Sequence, residues 1–212
     1  MEGSAHRTVV KVCGLTRLED ARLALEAGAD WLGFVLWSGS PRRIEPERAA
    51  EIVAALGGGL AVAVMVNPTP DEALALASRI GAARVQVHQV DPLSWPSDFP
   101  YPVTFAIPVS DDGALGKPLP PAGPLVMLDA ADPVHVGGTG HRIPWDTARV
   151  VAATRDVLLA GGLDGSSVRA ALETVHPYGV DAASRLESSP GIKDGEKVRR
   201  FVAAVRAFDG AH

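Results

Sequence analysis

The chain has 212 residues, of which 47% are hydrophobic; this is enough for one substantial core, so we expect a single domain over residues 1–212. The net charge of −5, with both signs interspersed, leaves no basic stripe for a nucleic-acid backbone. No apolar run reaches the roughly 18 residues that span a membrane, and the N-terminus lacks the apolar core of a secretion signal, so we expect a cytoplasmic protein with neither nucleic acid nor membrane as a partner.

Short apolar runs rich in valine and leucine alternate with helical patterns along the whole chain. The runs show little polar alternation, which is typical of strands buried on both faces of a parallel sheet. The predicted strands are residues 9–13, 31–36, 61–66, 84–88, 103–107, 125–129, 157–160 and 179–183. This alternation predicts the α/β class, and a set of about eight such units predicts a (β/α)8 barrel, or TIM barrel.

Several helix ends carry recognisable signals. Thr16-Arg17-Leu18-Glu19 has the pattern of a capping box, and Gly28 is placed to end the helix that it opens. Thr69-Pro70-Asp71-Glu72 repeats the pattern with proline at the first helical position, where its missing N–H is harmless. The glycines at 57–59 are interpreted as a helix C-cap and loop. Further helices are predicted over residues 46–56, 145–153, 166–175 and 194–208.

The segment 110–124 interrupts this alternation. Prolines at 118, 120, 121 and 124 exclude an ordinary helix there, so the fifth helix is predicted to be replaced by a proline-rich loop. A short turn over residues 92–99 is predicted in place of a full fourth helix. The outer ring of helices is therefore expected to be incomplete.

Two groups that could transfer protons stand at predicted strand ends. Cys13 ends the first strand and Asp129 ends the sixth, and the C-terminal strand ends of a barrel converge at one mouth. Taken alone, a lone cysteine is equally consistent with a small buried hydrophobe, and the aspartate with a cap or loop carboxylate. Taken together, a thiol and a carboxyl in different surroundings predict a general acid–base pair.

Three clusters of small residues follow the last three predicted strands, at 137–140, 161–162 and 183–184. Each alone is consistent with a plain turn, but their joint position favours a phosphate site, because loops after the last strands of a barrel often bind phosphate. Arg42 follows the second strand and could hold a planar carboxylate or be a solvated loop residue. His135 and His141 have no pair of cysteines to complete a zinc site, so no metal is predicted.

Short segments match the pattern of one enzyme family in the family's order. They are Lys11-Val12-Cys13-Gly14-Leu15-Thr16, residues 27–30 and 32–34, Ser40-Pro41-Arg42, residues 66–67, 85–88, 128–130, 137–140 and 159–163, Pro177-Tyr178-Gly179-Val180-Asp181 and residues 187–194. On these residues the chain resembles phosphoribosylanthranilate isomerase of tryptophan biosynthesis over nearly its whole length. The resemblance implies a (β/α)8 barrel that lacks its fifth helix, uses no cofactor, binds a small phosphorylated substrate, and occurs as a monomer or homodimer.

The resemblance also implies a reaction and a set of roles. The reaction is the Amadori rearrangement of N-(5-phosphoribosyl)anthranilate to 1-(2-carboxyphenylamino)-1-deoxyribulose 5-phosphate. Asp129 would be the general acid that opens the ribose ring, Cys13 the general base that removes the adjacent ribose proton, and Arg42 would hold the anthranilate carboxylate. The phosphate would be bound by Gly138, Gly140, Gly161, Gly162, Ala183, Ser184 and Arg185.

Two positions differ from the family's usual pattern, which has glycine at both. Arg185 lies in the expected phosphate loop, and Gln89 follows His88. If residue 185 needs a positive φ, arginine there costs about 1–2 kcal/mol, whereas its guanidinium could instead bind the phosphate. Two other functions stay open: a broader aminoaldose isomerase, whose own family relies on paired aspartates, and a phosphate-binding barrel that has lost catalysis.

Overall fold

The computed structural model describes residues 7–130 and 143–211, and its centre is a closed barrel of eight parallel strands in chain order. The strands are β1 (Val9–Cys13), β2 (Trp31–Val35), β3 (Ala61–Val66), β4 (Arg84–His88), β5 (Val103–Val109), β6 (Leu125–Ala130), β7 (Val157–Leu159) and β8 (Gly179–Ala182). Strand β8 pairs with β1 and closes the barrel. The predicted fold class is confirmed, with strand ends that differ from the prediction by two residues at most.

The described residues include six α-helices, which are α1 (Leu18–Ala27), α2 (Pro46–Ala55), α3 (Pro70–Ile80), α4 (Trp145–Ala152), α5 (Val168–Val175) and α6 (Gly195–Asp209). No helix connects β5 to β6, as the proline-rich segment predicts, and none connects β4 to β5, where a short turn is predicted. A 3₁₀ helix (Ser184–Leu186) and a hairpin of β9 (Glu187–Ser189) and β10 (Ile192–Lys193) follow β8. None of the helices in the described part of the chain is long and apolar enough to cross a membrane.

The two predicted capping boxes have different outcomes. At α3 the box is present, because the Thr69 hydroxyl accepts from the Glu72 amide and the Glu72 carboxylate accepts from the Thr69 amide at 2.8 Å. At α1 the prediction is wrong, since the helix has no side-chain cap. The Thr16 hydroxyl instead donates to the carbonyl of Gly191 at 2.6 Å and ties the start of α1 to the β9–β10 hairpin. A tertiary hydrogen bond has replaced the local one.

Side chains of β1 alternate between two layers of the core, as the two-residue period of a strand requires. Val10 and Val12 are fully buried in the large apolar layer between the barrel and its helices. Lys11 and Cys13 lie on the other side of the strand, inside the barrel, where Cys13 packs with Val35 and other small side chains. The polar side chains of β1 therefore reach the barrel interior near its C-terminal end.

Candidate active site

Cys13 and Asp129 line the same cavity at the C-terminal ends of the strands. Their side chains come from β1 and β6, and they meet there because parallel strands of one barrel all end at the same mouth. The Oδ1 atom of Asp129 accepts a hydrogen bond from the amide of Ala130 at 2.9 Å. Apolar side chains that include Trp37 and Met127 form part of the wall. The cavity thus combines a thiol and a carboxyl with a surface suited to a planar ring.

The Cys13 thiol is buried among apolar neighbours, and this burial raises its pKa above the ordinary value. The ammonium of Lys11 acts in the opposite direction and offsets part of the rise. Space for the sulfur depends on Gly33, since a Cβ at that position would lie 2.7 Å from Sγ. The thiol therefore occupies a tight position next to a positive charge.

Lys11 forms a buried ion pair with Asp181 in the barrel interior. Its Nζ donates to Oδ1 of Asp181 at 2.7 Å, and the two residues are register partners on the paired strands β1 and β8. Burial opposes the charge of the ammonium, but the carboxylate of Asp181 and the sulfur of Cys13 more than compensate and raise the pKa of Lys11 to about 12. Lys11 is therefore a permanent cation close to Cys13.

Arg42 lies on the rim of the cavity and is held by Glu187. Its Nε donates to both carboxylate oxygens of Glu187, at 2.9 and 3.1 Å, and its Nη2 donates to one of them at 3.0 Å. Glu187 also accepts from Nζ of Lys193 at 2.8 Å. The aliphatic part of Arg42 packs over Gly14, where a Cβ would lie 2.7 Å from Cδ. Gly14 thus makes room for Arg42, and the hydrogen bonds of Arg42 among the described residues leave Nη1 for another acceptor.

A second, smaller cavity adjoins the first. It is lined by Gly161, Gly162, Ala183, Ser184 and Arg185 among others, and it shares Asp129, Asp181 and Ala183 with the cavity of Cys13. Gly161 and Gly162 both have positive φ, 93° and 64°, so the loop after β7 has a shape that favours glycine. Gly138 and Gly140 lie outside the described residues. The remaining expected phosphate-binding residues therefore lie together, beside the expected acid.

The two departures from the family pattern differ in backbone conformation. Arg185 belongs to a 3₁₀ helix and is not among the described residues with positive φ, so the strain considered for it does not arise. Gln89 has a φ of 58°, in the left-handed region that a residue with a Cβ rarely adopts. Of the two departures from the family pattern, Gln89 is therefore the one that carries backbone strain.

His88 lines the cavity of Cys13, although the sequence analysis assigns it no role. Nε2 of His88 is 2.9 Å from Nε2 of Gln86. Desolvation and then the positive charge of Lys11 lower the pKa of His88 to about 4. The imidazole is accordingly neutral near pH 7 and can exchange hydrogen bonds without adding charge to the cavity.

Sequence reasoning also passed over Lys11, Asp181, Glu187 and Lys193, all of which are buried. The sequence does contain a signal for two of them, which is a charged residue within an apolar strand. Such a residue indicates an ion pair, because charged residues are almost never fully buried unless they are paired. Lys11 interrupts the apolar run of β1, and Asp181 does the same in β8. The sequence could not show that Lys11 pairs with Asp181 and that Lys193 pairs with Glu187.

No group of three or more His, Cys, Asp or Glu side chains in the described part of the chain is arranged to hold a metal ion. A larger cavity of about 730 Å³ lies at the other end of the barrel, near Trp31, Arg84 and Tyr178. It contains none of the expected catalytic or substrate-binding residues. The chemistry-bearing side chains of the described residues converge at the C-terminal end instead.

The closed (β/α)8 barrel, with a thiol and a carboxyl in one cavity at its C-terminal strand ends, has the arrangement typical of barrel enzymes. Residues 10–204 match the family model described as N-(5'-phosphoribosyl)anthranilate (PRA) isomerase. The chain belongs to this family and is an isomerase.

Similar proteins carry the same description. The N-(5'-phosphoribosyl)anthranilate isomerase of Rubrobacter xylanophilus is 43% identical over 93% of this chain and 98% of its own length. The crystal structure of phosphoribosyl anthranilate isomerase from Thermus thermophilus superposes with a TM-score of 0.79 at 35% identity, covering 94% of this chain and 99% of that one. A phosphoribosyl anthranilate isomerase in complex with reduced 1-(o-carboxyphenylamino)-1-deoxyribulose 5-phosphate has a TM-score of 0.74 at 29% identity, with coverage of 94% and 99%.

Proposed function

We propose that this chain converts N-(5-phosphoribosyl)anthranilate to 1-(2-carboxyphenylamino)-1-deoxyribulose 5-phosphate, with Asp129 as general acid and Cys13 as general base. The observation that carries the proposal is the shared cavity of the two groups, together with the adjoining cavity lined by the loops after β7 and β8. Family membership supplies the substrate class. An Amadori rearrangement is an isomerisation by proton transfers, which side chains of these types can perform.

Asp129 acts in the first step. Its carboxyl gives a proton to the ribose ring oxygen, the bond between that oxygen and the anomeric carbon breaks, and the nitrogen lone pair forms the iminium. Asp129 lines both cavities, so it faces the sugar of a substrate that has its phosphate in one cavity and its anthranilate ring in the other. This position suits an acid that acts between the two ends of the substrate.

Cys13 acts in the second step. Its thiolate takes the proton from the second ribose carbon, the released electron pair forms a carbon–carbon double bond, and the iminium nitrogen recovers its lone pair. The resulting enolamine tautomerises to the ketone and completes the isomerisation. Each proton transfer is expected to contribute roughly 10²–10⁴-fold to the rate.

Binding groups surround these two residues. Arg42, oriented by Glu187, presents its remaining nitrogen to the anthranilate carboxylate, and Trp37 and Met127 pack against the ring. Backbone amides of Gly161, Gly162, Ala183 and Ser184, with the guanidinium of Arg185, bind the phosphate. The phosphate and carboxylate ends then fix the sugar between acid and base, which reduces the entropy lost in reaching the transition state.

The test is to follow the loss of anthranilate-ribonucleotide fluorescence after addition of the purified protein, with rescue of a tryptophan auxotroph as the cellular counterpart. Turnover with appearance of the ketose product supports the proposal. Binding of the reduced product analogue without turnover would identify a non-catalytic phosphate-binding barrel. Rescue of a histidine auxotroph by expression of this chain would show a broader aminoaldose isomerase. This result is disfavoured because Asp181, the second aspartate of the cavity, is bound to Lys11.

A further inference from the structure

We propose that Lys11 is a positioning residue for this reaction: its ammonium, fixed by Asp181, holds a positive charge beside the Cys13 sulfur and favours the thiolate that removes the substrate proton. The inference rests on the proposed function only where it names Cys13 as the base. The effect of the charge on the thiol is a property of the folded protein and needs no substrate.

The geometry places the ammonium and the sulfur side by side. Lys11 and Cys13 are two residues apart on β1, so both side chains point into the barrel. A Cβ built on Gly33 would lie 2.7 Å from Sγ of Cys13 and 3.1 Å from Nζ of Lys11. Both atoms therefore border the same methyl-sized space beside the backbone of β2. Because Nζ also donates to Asp181 at 2.7 Å, the ammonium is held in place.

Stability alone does not account for this ion pair. The Lys11 side chain is fully buried, and removing a charge of this kind from water costs several kcal/mol before any partner compensates. An apolar residue of similar volume could fill the same space at little or no cost to folding. The buried ammonium of Lys11 is explained instead by its effect on Cys13, because a positive charge next to the sulfur favours the thiolate.

The other charged groups around the sulfur leave Lys11 as the dominant cation. Asp181 on β8 disfavours the thiolate, and Lys193 on β10 favours it, in each case less strongly than Lys11 acts. His88 on β4 is neutral near pH 7. Arg42 and Glu187 are bound to each other at the rim. Asp129 faces the cavity from β6.

The experiment titrates the Cys13 thiol directly. Cys13 is the only cysteine, so the pH dependence of alkylation by iodoacetamide reports this residue alone. In Lys11→Met the midpoint should move to higher pH by about 1–3 units, the usual effect of an opposite charge at such distances. The acidic limb of the kcat profile should move with it, while KM changes little. Lys197→Met is the matched control, because the Lys197 ammonium donates to the Glu187 carbonyl at 2.7 Å and does not act on the thiol.

A second comparison covers the case in which Lys11→Met fails to fold because Asp181 is left unpaired. The double variant Lys11→Met/Asp181→Asn carries neither charge, and its thiol midpoint should exceed that of Asp181→Asn alone by about 1–3 units. A midpoint unchanged by the loss of Lys11 in either background would overturn the inference. Turnover that persisted in Cys13→Ser would contradict the proposed function instead, and would leave the titration result standing.

Discussion

Replacing Gln89 with glycine should stabilise the barrel, because Gln89 has a left-handed backbone conformation that a residue with a Cβ rarely adopts. Its φ is 58°, and its side chain is exposed at the end of β4. A residue with a Cβ pays for this conformation through contact with the neighbouring carbonyl oxygen, and glycine does not. The exposed side chain contributes no buried contact that the substitution would remove.

The magnitude follows from two opposing effects. Relief of the left-handed conformation is worth about 1–2 kcal/mol. Glycine also increases the conformational entropy of the unfolded chain, which lowers the free energy of unfolding by about 0.4–1 kcal/mol. At the midpoints of these ranges the net gain in the free energy of unfolding is about 0.8 kcal/mol. For a chain of this size, that gain corresponds to a rise in Tm of about 2–3 °C.

Thermal and denaturant unfolding of three variants tests this reasoning. Gln89→Ala keeps the Cβ and the strain, so its Tm should equal that of the unchanged protein. Arg185→Gly should lower the free energy of unfolding by at least about 0.5–1 kcal/mol, because position 185 has no positive φ to relieve and glycine there adds freedom to the unfolded chain. A Gln89→Gly protein no more stable than Gln89→Ala would refute the account of strain at this position.

Three further outcomes are expected. Glu187→Gln should lower the free energy of unfolding by roughly 3 kcal/mol and raise KM, because Arg42 and Lys193 lose their shared carboxylate; unchanged denaturant curves would contradict this. The pKa of His88 is about 4 in the folded chain against 6.5 for the free group, so the unfolded chain binds more protons between these values; stability should fall as pH drops from about 6.5 towards 4, and less steeply in His88→Gln. Thr69→Ala should cost about 1 kcal/mol in chemical denaturation through loss of the α3 cap, whereas Ser there should restore most of it.

Much of the barrel could be predicted because its strands are encoded locally. The bounds of β1, β3 and β4 agree with the prediction, and β3 is a continuous apolar segment of the kind that a strand buried on both faces needs. Thr16 is a position where the local sequence does not predict the hydrogen bond. Its hydroxyl donates to a carbonyl 175 residues away instead of capping the helix as the motif predicts, and that carbonyl is in range only after the barrel has closed.

The candidate site divides in the same way. Cys13 and Asp129 could be placed at one mouth because strand ends can be read from the sequence and barrel topology then fixes their side of the molecule. The partner of Lys11 could not be predicted, since Asp181 becomes its neighbour only when β8 pairs with β1 across 170 residues of chain. Arg42 illustrates the same limit, because its fork was expected to be available and is largely bound by Glu187.

The assignment of Cys13 as base and Asp129 as acid is tested most directly by measuring kcat and ligand affinity of Cys13→Ser and Asp129→Asn. The ligand is reduced 1-(o-carboxyphenylamino)-1-deoxyribulose 5-phosphate, the compound bound in the structure of a relative. Each variant should lose roughly 10²–10⁴-fold in kcat and still bind the analogue nearly as tightly as the unchanged protein. Either variant turning over substrate at close to the original rate would contradict the assignment of base or acid.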